Sequence, residues 1–342
     1  MIALFVVLVV LGGMGGGVWY GGSRMVAALT DTPDYAGAGS ASVAVEIRSG
    51  DSATDIAHTL LAKGVVKSTK AFVSAARDNP RSLGLQPGTY QLRKQMKAAL
   101  ALALLLDPAS RLQAVVTIPE GFSVTQTVAR IAARGNVALP EVQTAARDTA
   151  KLGLPAYAKG RLEGFLYPAT YDIQPGTSAL QILQMMVAKF NAVAASIRLE
   201  QRAAAARVSP YDVLTVASLV QEEGLVNTDM PKIARVIYNR LAAGTPLGID
   251  AAIFYGLGRT GGALSPADLA KVTPYNTRVA KGLPPTPIDS PGQAALDAAL
   301  SPTAGNWLYY VLADKQGHQF FTDSYQAFLD KKAEGRRAGL FK

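Results

Sequence analysis

Apolar and polar positions follow two rhythms along this 342-residue chain. A period-2 pattern at Val43–Ile47 predicts a strand. A period near 3.6 after Gly50-Asp51-Ser52 predicts an amphipathic helix to Lys63, stopped at Gly64. Seventy-one positions later the plan returns: a strand-like Gln113–Ile118, the turn Gly121-Phe122-Ser123, a helix to Arg134 and a stop at Gly135. Ser52 with Asp55, and Ser123 with Gln126, have the spacing of a capping box. The glycines suit left-handed helix ends. The pattern predicts two small α+β modules, although unrelated strand–turn–helix units would share much of this punctuation.

Between and beyond the copies, Ser68–Asp78 and Lys97–Leu106 read as helices, and Gly88–Leu92 as a turn into a strand. Gly164–Tyr171 reads as an aromatic loop broken by proline. Thr177–Arg207 reads as one long helical stretch, and further helices open at Pro210 and run over Pro231–Ala242. Leu264–Pro302 reads as loop-rich, and Leu308–Ala313 with Gln319–Thr322 as a hairpin.

The start of the chain has neither rhythm. The first 23 residues carry no charged side chain, and Ile2–Tyr20 is long enough to span a hydrocarbon core, with Trp19 and Tyr20 suited to the headgroup boundary. The expectation is an uncleaved anchor over residues 1–23, followed by a Gly/Ser/Pro-containing linker over 24–42. A cleaved signal peptide is the alternative.

Composition narrows the chemistry. The chain has no cysteine, which excludes thiolate catalysis and disulfides, and its two histidines cannot form an imidazole-rich metal cluster. The net charge of +9 favours anionic partners, but the lysines and arginines are dispersed, so no nucleic-acid partner is expected.

Val216-Ala217-Ser218-Leu219-Val220-Gln221-Glu222-Glu223-Gly224 is the most informative stretch. On a helix, Val216, Leu219, Val220 and Glu223 share one face, while Glu222 falls beside Thr215 and Ser218 on the more polar side. A carboxylate ending an apolar stripe is desolvated, which raises its pKa toward the range of a general acid. Two surface glutamates on a last helical turn are the competing reading. Gly256–Gly261 matches G-x-G-x-x-G, but no βαβ unit follows it, so a glycine-rich turn is expected there. Glu163 lies in the aromatic segment Leu162–Pro168, either beside a carbohydrate groove or capping backbone amides. Tyr275-Asn276-Thr277 and Gly282–Pro285 lie in a long segment with groups suited to sugar hydroxyls.

Taken in order, LEGFLYPATY (162–171), ASLVQEEG (217–224), IYNRL (237–241), Ile249-Asp250-Ala251 with Tyr255-Gly256, Tyr275-Asn276-Thr277, Gly282–Pro285 and Pro291-Gly292 resemble the blocks of the YceG-like (MltG-type) endolytic murein transglycosylases. The resemblance implies an α+β protein: an N-terminal transmembrane helix, a LysM-like small α+β module over 43–107, and a mixed α/β catalytic domain over 108–342 with its core at about 161–325. It implies cleavage of the β-1,4 bond between N-acetylmuramic acid and N-acetylglucosamine, leaving 1,6-anhydro ends. Family members often carry two glutamates flanking one residue here. Gln221 replaces the first and Glu223 matches the second, so the acid/base role carries onto Glu223, with Glu222 the fallback. Substrate contacts are expected at Glu163, Asn239, Asp250, Tyr275, Asn276 and Thr277, and a structural acid partner for Arg240. No metal or other cofactor is implied. Expected partners are peptidoglycan strands, the membrane through a single span, and cell-wall synthases, with the catalytic domain on the extracytoplasmic side. A two-carboxylate hydrolase using Glu163 or Asp250, and a non-catalytic wall-binding scaffold, remain the alternatives.

Overall fold

The computed structural model describes residues 32–112 and 114–340. The anchor expected over 1–23 lies outside them, as does the start of the expected linker. The chain divides into two compact units that meet between Gln113 and Ala114.

The first unit is built from β1 (Ser42–Ile47), α1 (Ala53–Ala62), α2 (Thr69–Arg77), β2 (Gly88–Arg93) and α3 (Ala98–Leu105). β1 and β2 pair antiparallel, with Val45 opposite Tyr90 and Val43 opposite Leu92. Alternation along the strands turns Val45, Ile47, Tyr90 and Leu92 inward onto Ile56, Leu60, Phe72 and Leu102. Tyr90 brings a hydroxyl into this core and satisfies it on the Gln86 carbonyl, 2.6 Å away.

The second unit opens with the same order: β3 (Ala114–Thr117), α4 (Val124–Arg134), α5 (Leu139–Arg147) and β4 (Thr170–Ile173). β3 and β4 are again antiparallel, Val116 facing Tyr171. Both anticipated capping boxes form, Ser52 with Asp55 and Ser123 with Gln126. Gly50, Gly64 and Gly121 are left-handed, but Gly135 is not (φ −92°); Asn136 takes the left-handed turn instead. The segment read as an aromatic loop ends in β4, because Thr170–Ile173 finds β3 as a partner that lies far away in sequence.

Helices dominate the rest: α6 (Ala179–Ser196), α7 (Leu199–Ala205), α8 (Pro210–Glu223), α9 (Met230–Ala242), α10 (Asp250–Gly256), α11 (Pro266–Ala270), α12 (Gln293–Leu300), and α13 (Tyr325–Arg337), which follows the hairpin of β5 (Tyr309–Leu312) and β6 (Gln319–Thr322). The single helix expected over Thr177–Arg207 is two, bent by 50° where Arg198 adopts a left-handed conformation. The stretch expected to be loop-rich contains α11 and α12. Among the described residues the sheets are three two-stranded antiparallel ribbons, so the architecture is α+β rather than alternating α/β.

α8 is the centre of this unit. Ser209 caps it, accepting from the Asp212 amide at 3.0 Å, and Pro210 occupies its first turn, where a missing N–H costs nothing. Every residue from Val213 to Val220 is buried, Thr215 and Ser218 included. The polar side expected for this helix does not exist. Thr215 donates to the Tyr211 carbonyl and Ser218 to the Thr215 carbonyl, so both hydroxyls are satisfied inside the core. Outside this stretch the first and last turns are partly exposed, and Glu222 and Glu223 sit on the last.

Candidate active site

Glu222 and Glu223 end α8 on the wall of a cavity of about 330 Å³. Gly121 and Ser123 of the turn into α4, Gln126 in its first turn, Phe254 and Tyr255 of α10 and Arg259-Thr260-Gly261 share the lining, with Gly121 close against Glu222. The G-x-G-x-x-G match is therefore a turn whose second half borders this cavity.

Glu223 is half-buried, and its Oε2 accepts a hydrogen bond from the Tyr310 hydroxyl at 3.0 Å. Burial pushes its pKa up to about 7; the Tyr310 bond and Arg278 favour the charged form, while Asp250 and Glu222 oppose it. Near neutral pH such a carboxyl exchanges its proton readily in either direction. Tyr310 itself is held in place through α9. Asn239 donates to the carbonyls of Gly305 (3.0 Å) and Trp307 (2.9 Å), and Arg240 to that of Leu308 (2.6 Å), just ahead of β5. Asp229, before α9, accepts from the Gln319 amide of β6 at 2.7 Å. Arg240 hydrogen-bonds the main-chain carbonyls of Leu308, ahead of β5, and Leu247, after α9, not the acid expected from the sequence.

Gln221 points elsewhere. Its Oε1 accepts from the Gly292 amide at 2.9 Å. Glutamate could accept that bond equally well, so Gln221 can stand where the resemblance leads one to expect a glutamate. The same exchange at Glu223 would remove a titrating group.

Glu163 is 9% exposed and does not line the cavity. One oxygen accepts from the Val124 amide at 2.9 Å, an otherwise orphaned donor in the first turn of α4; the other accepts from the Tyr255 hydroxyl at 2.9 Å. Burial raises its pKa to about 7 against these bonds. Asn276 and Thr277 are almost wholly buried. The Asn276 amide donates to the carbonyls of Leu269 (2.9 Å) and Lys271 (2.7 Å), and the Thr277 hydroxyl bridges the amide and carbonyl of Ile249. Their polar atoms are spent on main chain, as is the side-chain NH2 of Asn239. What they hold up is Arg278, which clamps Asp250 with two bonds of 2.7 and 3.0 Å beside Glu223. Tyr275 packs on Tyr255 (ring centroids 5.1 Å apart) and shares a hydrogen bond with Thr286.

The structure thus puts Glu223 on the cavity wall, Asp250 near it, and Glu163 behind the lining residue Tyr255, while Asn239, Asn276 and Thr277 hold main chain in the surrounding elements. Sequence reasoning gave no role to Tyr255 and Arg259, though both lay in quoted motifs, and missed Tyr310 and Arg278 altogether. The hairpin alternation announced β5, but nothing local tells which strand residue meets a helix ending 87 positions earlier.

The sequence model of the YceG-like family matches residues 45–334. An endolytic murein transglycosylase of Bacillus subtilis is 33% identical over 295 residues, covering 82% of this chain and 81% of that protein. One from Streptococcus pneumoniae is 29% identical over 326 residues, covering 83% of this chain but only 56% of its own. The crystal structure of a YceG-like protein from Listeria monocytogenes superposes with a TM-score of 0.59 at 28% identity, over 84% of this chain and 98% of that one. The family match spans both compact units and every residue lining the cavity, and the chain belongs to the YceG-like family.

Proposed function

We propose that this chain is an endolytic peptidoglycan lytic transglycosylase with Glu223 as its single acid/base. One observation carries the reading: a desolvated carboxyl with pKa about 7 ends the most buried helix and opens onto a cavity. The relatives' names supply the substrate class. In the reaction the protonated Glu223 gives its proton to the glycosidic oxygen, which departs on N-acetylglucosamine as its bond to C1 of N-acetylmuramic acid breaks. The carboxylate then takes the proton of the muramyl C6 hydroxyl, whose oxygen bonds to C1. No water is consumed, and the proton lost in the first step returns in the second. One titrating group suffices, unlike the two of ordinary glycosidases. Tyr310 keeps the carboxylate form accessible for the second half, and the Asp250–Arg278 pair fixes the charges beside it.

A two-carboxylate hydrolase is less well supported: Glu163 is committed to Val124 and Tyr255, and Asp250 to Arg278. The run Ile2–Tyr20 supports a single membrane span, and with it an extracytoplasmic catalytic unit near the cell-wall synthases. The strand–helix–helix–strand order of the first unit is compatible with a LysM-like module. Mass spectrometry of digested glycan tests the reaction. Fragments ending in 1,6-anhydro sugars, one water lighter than reducing ends and absent with Glu223→Gln, are expected; reducing ends alone would make the enzyme a hydrolase.

A further inference from the structure

Asp289 is a buried acid that this mechanism does not use. It is 1% exposed, and among the described residues no N–H or hydroxyl donates to either carboxyl oxygen. The group within hydrogen-bonding reach of it is another acid, Glu222 on the cavity wall. Asp289 cannot swing away. On one side the Ile288 amide donates to Ser218 Oγ (3.1 Å). On the other, the Ser290 amide donates to the Phe122 carbonyl, and the Gly121 amide to the Ser290 carbonyl, both at 3.0 Å. Among the described residues no further acid or imidazole completes a metal-ligand set with the pair.

A carboxyl buried against a second carboxylate ionises with difficulty, and of this pair Asp289 is buried while Glu222 is exposed at the end of its helix, so one keeps a proton. The proton belongs on Asp289, the enclosed member, since Glu222 reaches solvent through the cavity. Burial raises both groups, Asp289 much further; Glu222 and Glu163 push it further up, and its bond to Glu222 partly offsets the rise there. The other charged groups nearby are Glu223 and, in the same cavity lining, Arg259.

We propose that Asp289 is a positioning residue that donates a hydrogen bond to Glu222 and so fixes the Glu222 carboxylate on the cavity wall as an acceptor for an amide N–H or hydroxyl of an N-acetylated glycan. The glycan class rests on the function proposed above; the acid pair does not. Glu222 then contacts substrate while Glu223 does the chemistry, and the adjacent glutamates divide binding from proton transfer.

Two measurements test this. Infrared difference spectra near neutral pH should show a protonated-carboxyl band in the wild type that is missing from Asp289→Asn. Absence of that difference overturns the proposal. In a Glu223→Gln background, calorimetric titration with a soluble β-1,4-linked N-acetylglucosamine oligosaccharide should weaken about tenfold on adding Glu222→Ala or Asp289→Ala. Asp289→Asn, which keeps a donor and the shape, should stay within about threefold. Equal affinity in all of them, or a loss in Asp289→Asn matching that in Asp289→Ala, overturns it. If Asp289→Ala fails to fold, the infrared difference and the Asp289→Asn and Glu222→Ala titrations still decide. Continued cleavage with Glu223→Gln would instead remove the acid/base assignment and leave the infrared and affinity results to be read on their own.

Discussion

The two strand–helix–helix–strand segments, β1 to β2 and β3 to β4, share an order, an antiparallel pair and a capping box, yet treat acid groups in opposite ways. In the first, Asp55 closes the capping box at the surface, and its pKa is lowered by the bonds from the Ser52 hydroxyl and amide. In the second, Gln126 closes the box, and the acid is Glu163, which arrives from the connection to β4 to hold the next amide, Val124, in a buried place that raises its pKa to about 7. The same helix start is finished with solvent in one case and with another part of the chain in the other. That second finish brings the turn at Gly121–Ser123 and Tyr255 to the cavity at the end of α8.

The sharpest division is that proton transfer belongs to the cavity beside the second segment. Glu223→Gln keeps size and the bond from Tyr310 but cannot titrate. Turnover of glycan strands should fall by about 10²–10⁴, the usual contribution of an acid/base group, with thermal unfolding showing both units folded. Turnover within threefold of wild type would move the chemistry to Glu222.

Next in size is the cap itself. Glu163→Leu leaves the Val124 amide and Tyr255 hydroxyl without partners and should cost about 2–4 kcal/mol in denaturant unfolding. Glu163→Gln keeps one acceptor and exposes the pH behaviour. Its folded-state pKa, about 7, lies above the ordinary 4.5. The stability linked to this group is therefore full below about pH 4.5 and lost as pH rises through 7, a difference of order 3 kcal/mol that Glu163→Gln should abolish. Asp55 runs the other way: its lowered pKa gives stability above the ordinary value of 3.8 that is lost as pH falls through the lowered one, and Asp55→Asn should flatten only that acid limb. Parallel slopes for the two variants would erase the contrast.

Much of this contrast was legible in the sequence, for a physical reason. Caps, turns and strand alternation are written within a few residues, so Ser52, Ser123, Gly50, Gly121 and the β5–β6 hairpin could be read directly. β4 could not, because Thr170–Ile173 is a strand only by virtue of β3. Nor could α12, whose small apolar residues gain from packing on α8 and α9 rather than from a pattern of their own. Glu223 was found by a face argument that the structure corrects: α8 is buried on every side, so it is position in the last turn, not the stripe, that exposes the two carboxylates. The substrate positions taken from the resemblance divide by their bonding. Asp250 stands beside Glu223, whereas Asn239, Asn276 and Thr277 are consumed by carbonyls and amides that no local pattern announces.

Tyr310 ranks third. Its bond favours ionised Glu223, so Tyr310→Phe should raise the Glu223 pKa above 7. The alkaline limb of the kcat/KM profile should move upward by about one unit while kcat drops about tenfold, as the base half of the cycle loses its stabilised carboxylate. An unmoved limb would mean that Tyr310 only packs against the site.

The smallest effect separates the two turns that open α1 and α4. Gly50 (φ +89°) and Gly121 (φ +78°) are both left-handed, so alanine at either position should cost about 1–2 kcal/mol in strain. Their surroundings differ. A Cβ at Gly50 meets nothing within 4 Å, whereas one at Gly121 sits 3.2 Å from Glu222 Oε1. Gly50→Ala and Gly121→Ala should therefore lower the unfolding midpoint of their own units by similar amounts, but only Gly121→Ala should raise KM for glycan, by a few-fold, because Glu222 must give way. Equal KM values in the two variants would mean that the turn at Gly121 closes a helix as its counterpart does and has no part in presenting Glu222 to the cavity.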